Sequence, residues 1–237
     1  IPINVIFEDE DILVINKQSG LVTHPGSGNW SGTLANALLH YDPSLESLDR
    51  AGIVHRLDKN TSGLMVVAKN QKSQKYLVEQ LQSHSISREY SAIVYGHMIS
   101  GGTISEPLGR DPKDRVKQAV LRNGREATTH YRVINRFKSH THVKAILETG
   151  RTHQIRVHLS HIGHSLVGDS IYGGKVRYPK KASEDLKNEL LNFRRQALHS
   201  KKLTLKHPKS GELLSWKLPL PEDMLKLLEA LTEFDKN

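Results

Sequence analysis

Short apolar runs and polar breaks follow one another along this chain in two different rhythms. Val5 to Phe7 and Ile12 to Ile15 are apolar runs on either side of the acidic turn Glu8-Asp9-Glu10-Asp11, the pattern of a hairpin. From Thr33 to Tyr41 the period lengthens. Leu34, Ala37, Leu38 and Tyr41 recur at helical spacing, and Asp42-Pro43 ends the element. Pro43 to Arg50 shows neither rhythm and reads as a mobile connection. Gly52 to Lys69 (GIVHRLDKNTSGLMVVAK) runs from apolar to polar and back, so that one buried strand ends, a polar connection follows, and Leu64 to Ala68 forms the next strand. Gln71 to Ser83 is an amphipathic helix with Tyr76, Leu77 and Leu81 on one side. Arg88 to Tyr95 alternates as a half-buried strand does, with Tyr90, Ala92 and Val94 on one face, and Ser100 to Gly102 is a turn.

The second half repeats this mixture. Thr128 to Phe137 and Thr141 to Thr149 read as two long antiparallel strands. Thr152 to Ile162 then changes period, with Ile155, Leu159 and Ile162 at helical spacing, Thr152 as N-cap and Gly163 at the C-terminus. Glu184 to Phe193 and Glu222 to Phe234 read as helices, and Leu198 to Leu205 and Leu213 to Leu218 as strands. Runs of strands interrupted by helices, joined by hairpin-length links, define the α+β class around a mostly antiparallel sheet. There is no internal repeat, low-complexity tract or clear linker.

Composition narrows the partners. At 237 residues the chain can form one sizeable domain or two intimate lobes. It carries 34 Lys and Arg against 25 Asp and Glu, a net charge of +9, which favours a polyanionic partner and salt-sensitive binding. Much of that charge falls in Glu106 to Arg125, a segment poor in apolar pattern that contains Arg110, Lys113, Arg115, Lys117, Arg122 and Arg125. It reads as a long loop or loose hairpin, either gripping phosphates or simply solvated. With no cysteine, disulfides, thiolate nucleophiles and Cys-type zinc sites are excluded. No apolar run is long enough to span a membrane and no signal-peptide pattern opens the chain, which fits a cytoplasmic protein. His158 and His161 stand three apart on the predicted helix, but no acidic ligand completes a metal set, and none is expected. Neither a P-loop nor a dinucleotide fingerprint occurs.

The chemistry concentrates in three stretches. His55-Arg56-Leu57-Asp58 is followed by Thr61-Ser62-Gly63-Leu64 and Ala68-Lys69; then come Arg88-Glu89-Tyr90, and Gly150-Arg151-Thr152-His153-Gln154-Ile155-Arg156-Val157-His158. Together these resemble the motifs of the RluA-type pseudouridine synthases, and the resemblance, which extends to Gly168-Asp169 to Gly174 and Arg195 to His199, covers nearly the whole chain.

It implies a pseudouridine synthase fold over residues 1–237, with a central mixed, mostly antiparallel sheet flanked by helices and an active-site cleft across it. It implies the cofactor-independent isomerisation of uridine to pseudouridine in 23S ribosomal RNA, in the helix 69 stem-loop, by a monomer. Because relatives often carry a small S4-type RNA-binding domain before this point, and the chain opens Ile1-Pro2, a fragment lacking that domain is expected.

The resemblance assigns Asp58 as the nucleophile, since a carboxylate can attack and later leave. Arg156 is its basic partner, and Tyr90 offers a ring for stacking and a hydroxyl for proton transfer. Arg56 is the wedge that replaces the flipped base, or a phosphate clamp; His55 supports this loop and stands with the substrate contacts. Arg151, His153 and Gln154 are further expected substrate contacts, and Lys17 and Thr23 line the cleft rim. A non-catalytic RNA-binding module on the same fold would use the charge but has no need of Asp58, Tyr90 and Arg156 together.

Overall fold

The computed structural model describes residues 1–237, which divide into two compact units: Ile1–Arg88 with Ser200–Leu218, and Glu89–His199 with Pro219–Asn237.

In the first unit, β1 (Asn4–Glu8) and β2 (Ile12–Lys17) form the expected antiparallel hairpin, and β2 pairs antiparallel with β3 (Ser62–Ala68). β3 neighbours β10 (Leu198–Lys206), which pairs antiparallel with β11 (Leu213–Lys217). β3 is buried along its whole length, which is why its sequence is continuously apolar rather than alternating. Ile12, Val14, Leu64, Val66, Leu203 and Leu205 form one core face, closed by Leu77 of α2 (Gln71–Gln82). Asn70 caps α2 through a side-chain bond to the N–H of Ser73. α1 (Leu34–Tyr41) begins with a capping box between Thr33 and Asn36.

Two expectations change here. Pro43 to Arg50 is not a mobile connection: two short 3₁₀ turns, Pro43–Ser47 and Asp49–Gly52, drive Leu45 and Leu48 into the interior. The apolar run before His55 is not a strand; Ile53 makes only an isolated bridge to Val67.

The second unit is built on the antiparallel order β4-β9-β8-β5, from β4 (Ser87–Tyr95), β9 (His140–Leu147), β8 (Thr128–Arg136) and β5 (Gly102–Ser105). α4 (Glu184–Asn192) and α5 (Glu222–Lys236) bury Leu186, Leu190, Met224, Leu227 and Leu231 against Ile93, Phe137 and Val167. The basic segment is a small antiparallel hairpin, β6 (Leu108–Arg110) with β7 (Gln118–Val120). Its base is sealed by Leu108, which packs with Ala127 and with Val157 of α3 (Gln154–His161). α3 starts two residues later than the sequence suggests. His153, in the left-handed region at φ 56°, occupies the cap position, and no side chain caps the helix, so Thr152 is not the cap.

Candidate active site

In the first unit the motif loop leaves its bridge at Ile53 and re-enters the sheet at β3. His55 is fixed first: its Nε2 accepts the N–H of Val66 at 2.9 Å. The ring proton therefore sits on Nδ1, which is shut off from solvent. Burial, with the nearby Arg88 guanidinium adding to it, pushes the His55 pKa down to about 3. His55 braces the motif loop against β3 through this bond.

Asp58 lies between two anchors. Lys17, at 1% exposure, donates its ammonium to the carbonyls of Gln18, Leu21 and Lys59 at 2.8, 2.9 and 3.0 Å. Thr23 donates its hydroxyl to the carbonyl of Leu57 at 3.0 Å. The backbone is thus held immediately before and immediately after Asp58, and the Asp58 carbonyl closes a turn with the N–H of Thr61 at 3.0 Å. Lys17 and Thr23 are buried supports of the Asp58 loop rather than groups at a rim. Gly63 makes the return to β3 possible: at φ 121°, a side chain there would meet the Ser200 carbonyl at 2.2 Å. Leu57 is buried, Asp58 half-buried and Arg56 exposed. His24 belongs to the same surface. Burial, then the charges of Arg50 and Arg56, hold its imidazole below the ordinary histidine range.

In the second unit Tyr90 is buried on β4, paired across to Ala145 of β9. Arg156, at 4% exposure, donates from Nε to Asp169 Oδ2 at 2.7 Å and from Nη2 to Asp169 Oδ1 at 3.0 Å. Burial raises the Asp169 carboxyl, but the hydrogen bonds and charge of Arg156, with the N–H groups of Tyr172 and Ile171, outweigh it and hold the pKa below the ordinary carboxylate range. Asp169 lies in the motif stretch Gly168 to Gly174, and only the fold shows that it meets Arg156.

The other third-motif residues separate into braces and surface groups. Gln154 spends its whole amide internally. Its Oε1 accepts from the Thr149 hydroxyl and the Arg151 N–H, and its Nε2 donates to the Thr128 carbonyl and the Thr129 hydroxyl. Both donors and both lone pairs are used, so Gln154 is a brace and not a substrate contact. His158 is similar: Nε2 donates to the Glu106 carbonyl at 2.9 Å, which leaves Nδ1 to accept from the Thr129 hydroxyl at 2.8 Å. That ring ties α3 to the foot of the basic hairpin and pairs with His161 for no metal. Arg151 is half-buried with Nε on the Glu126 carbonyl, and His153 Nδ1 shares a 2.6 Å bond with the Tyr172 hydroxyl. On the hairpin, Arg110, Lys113, Arg115, Arg122 and Arg125 are exposed.

One other group of potential ligands meets, Asp9, Asp11 and His207. His207 Nδ1 accepts the N–H groups of Lys209 and Ser210, so its proton is on Nε2 and is donated to Asp9 at 2.7 Å. This is a clasp between two turns.

Antiparallel strand pairs with flanking helices make an α+β protein, the first unit holding a carboxylate on a doubly anchored loop and the second a buried arginine clamped by a carboxylate. Residues 11–161 match the RNA pseudouridylate synthase family, and the chain belongs to it. It is 54% identical over 231 residues to the ribosomal large subunit pseudouridine synthase D of Salmonella typhimurium and of Escherichia coli K12, covering 98% of this chain and 71% of each relative. Among solved structures, human RNA pseudouridylate synthase domain containing 4 superposes with a TM-score of 0.74 at 27% identity, over 97% of this chain and 93% of that one. The protein is therefore an isomerase of the pseudouridine synthase family.

Proposed function

We propose that the protein converts specific uridines of large-subunit ribosomal RNA to pseudouridine, in the helix 69 stem-loop, with Asp58 as nucleophile. The observation that carries this reading is the treatment of Asp58: its backbone is gripped on both sides by the buried Lys17 and Thr23 while the residue itself stays half-exposed. A loop built this way holds one carboxylate in a fixed attitude toward solvent, which is what a nucleophile needs.

The reaction breaks the bond between N1 of uracil and C1′ of the ribose and forms one between C5 and C1′. C5 loses a proton and N1 gains one, so no atom is added and no redox partner is required. Asp58 takes hold of the flipped nucleoside covalently and leaves again when the C5–C1′ bond forms. Arg156, its guanidinium held by Asp169, is the cation of this chemistry. Tyr90 gives the detached base a ring to stack on and a hydroxyl for the proton at C5. Arg56, exposed at the edge of the loop, fills the stack the uridine leaves. The exposed cations of the hairpin hold flanking phosphates. Arg151 and His153 stand near that hairpin as further RNA contacts.

The test is incubation with unmodified large-subunit rRNA and with the isolated stem-loop, followed by chemical derivatisation to map pseudouridine, because the isomerisation leaves mass unchanged. Wild type is expected to modify both. Asp58→Asn is expected to bind RNA and form no product; full turnover by that variant removes Asp58 from its role. RNA binding by the wild type without any product would instead establish a non-catalytic binding module.

A further inference from the structure

One assembly, its ion pair buried, joins three segments that are distant in sequence: Arg156 on α3, the turn Asp169–Tyr172, and the turn end of the basic hairpin at Gln118, which pairs with Arg110. Its carboxylate is set before the arginine reaches it. Asp169 Oδ1 accepts the N–H groups of Ile171 and Tyr172 at 3.0 and 3.1 Å within its own turn. The turn is locked in place by Gly168, at φ 78°, where a side chain would meet the Arg195 carbonyl at 2.0 Å. Asp169 then takes the Nε–Nη2 edge of Arg156 with both oxygens. A carboxylate gripping that edge fixes the guanidinium plane, and only the Nη1 side faces away from Asp169.

Tyr172 adds a second constraint. Its ring centroid lies 5.1 Å from the Arg156 guanidinium carbon. Its hydroxyl accepts the N–H of Gln118 at 2.9 Å and shares a 2.6 Å hydrogen bond with His153 Nδ1. The residue that packs on the guanidinium is therefore also the residue that anchors β7. A buried ion pair of this kind is a poor source of net stability, because desolvation consumes most of the attraction. What it does provide is a fixed direction.

We propose that Asp169 and Tyr172 are positioning residues for Arg156, and that Tyr172 ties the attitude of its guanidinium to the docking of the basic hairpin. The proposal rests on the reading that Arg156 takes part in the chemistry. It predicts that loss of Asp169 is felt in turnover, through Arg156 alone, and that loss of the Tyr172 hydroxyl is felt more in the apparent affinity for RNA.

The experiment is a double-mutant cycle on kcat, measured with the stem-loop RNA at saturation, alongside KM and a thermal melt for each variant. Asp169→Asn preserves shape and the Oδ1 bonds but sets an amide N–H₂ against Arg156 Nε. It is expected to lower kcat about 10- to 100-fold, the scale of a misplaced reacting group, with KM within about threefold. In an Arg156→Met background it is expected to have no further effect on kcat. Tyr172→Phe is expected to raise KM severalfold and to lower kcat less than Asp169→Asn does.

If Asp169→Asn lowers kcat by the same factor whether Arg156 is present or not, the proposal is overturned. If Asp169→Asn does not fold, Tyr172→Leu, at a half-buried position, enters the same cycle with the same two outcomes. Normal kcat in Asp169→Asn with slow Arg156→Met removes this inference alone. Normal kcat in Arg156→Met removes the role of Arg156 and this inference with it.

Discussion

Replacing Lys17 by Met is expected to loosen the catalytic loop while leaving the rest of the first unit folded. The methionine keeps most of the buried stem, but the carbonyls of Gln18, Leu21 and Lys59 lose the ammonium that bonds them at 2.8, 2.9 and 3.0 Å. The Lys59 carbonyl keeps the N–H of Gly20 at 2.8 Å; the carbonyls of Gln18 and Leu21 lose their partner at about 1–3 kcal/mol each, and relief from burying the ammonium offsets part of the sum, which gives a net loss of about 2–4 kcal/mol. The loss is local, because Lys59 directly follows Asp58. It is best read from hydrogen exchange at the N–H of Thr61, which bonds the Asp58 carbonyl at 3.0 Å. At 1.4 kcal/mol per factor of ten, protection there is expected to fall by roughly 30- to 700-fold. Turnover is expected to fall about 100-fold, the effect of an ångström of misplacement, with little change in KM. Thr23→Val removes a single neutral bond, to the Leu57 carbonyl, and is expected to cost about 1 kcal/mol with a smaller drop in turnover. Wild-type turnover in Lys17→Met, with Thr61 exchange unchanged, refutes the idea that these two side chains hold the nucleophile in place.

Stability is expected to rise with pH between about 3 and 6.5. His55 has a folded pKa of about 3 and His140, buried and near Arg177, one of about 4, in both cases through burial first, so the unfolded chain binds more protons across that window. Each group contributes up to roughly 1.4 kcal/mol per pH unit there, and His140→Leu is expected to flatten the slope seen in urea melts between pH 4.5 and about 6.5; an unchanged slope counts against it. Arg56→Ala is expected to impair modification of the folded stem-loop more than of an unstructured oligonucleotide, measured as the ratio of kcat/KM values, and equal losses rule out the wedge. Arg115→Ala and Arg122→Ala, at exposed hairpin positions, are expected each to reduce the slope of log KM against log salt by roughly 0.7 to 1, and an unaltered slope shows that the hairpin is merely solvated.

Local rhythm carried most of the fold. The β1–β2 hairpin, α1 with its Thr33 cap, α2, and the β8–β9 pair are where periodicity puts them, because each has one face to bury and a polar break at each end. The misreadings come from elements whose pattern is too short for a period to show. Leu45, in a single 3₁₀ turn, and Leu48, which caps it, are three apart, and a single repeat cannot be told from a loop. Ser100 to Gly102 reads as a turn, and β5, which starts at Gly102, shows no strand pattern. It is an edge strand of four residues in which only Ile104 is buried, so little of its sequence is apolar. His153 hides the true start of α3, since a left-handed histidine at the cap follows from the surrounding packing and not from any capping preference.

The site was legible by motif, but a motif does not say what each of its residues does. That division follows from hydrogen-bond arithmetic, which only the folded chain supplies. Gln154 and His158 stand in the motifs beside Asp58 and Arg156, yet their donors and acceptors go to backbone and hydroxyl groups of the protein itself, and His55 spends Nε2 on a strand N–H with Nδ1 shut off from solvent. A residue with nothing left to offer a ligand holds the frame, and substituting it is expected to act through stability. Asp169 is the reverse case. Thirteen residues of chain separate it from Arg156, no spacing rule connects them, and the link appears only when the turn after Gly168 folds back onto α3. Pairings of that sort are set by tertiary structure alone, so a search for functional residues in this family should begin with the partners of its charged motif residues rather than with the motif residues themselves.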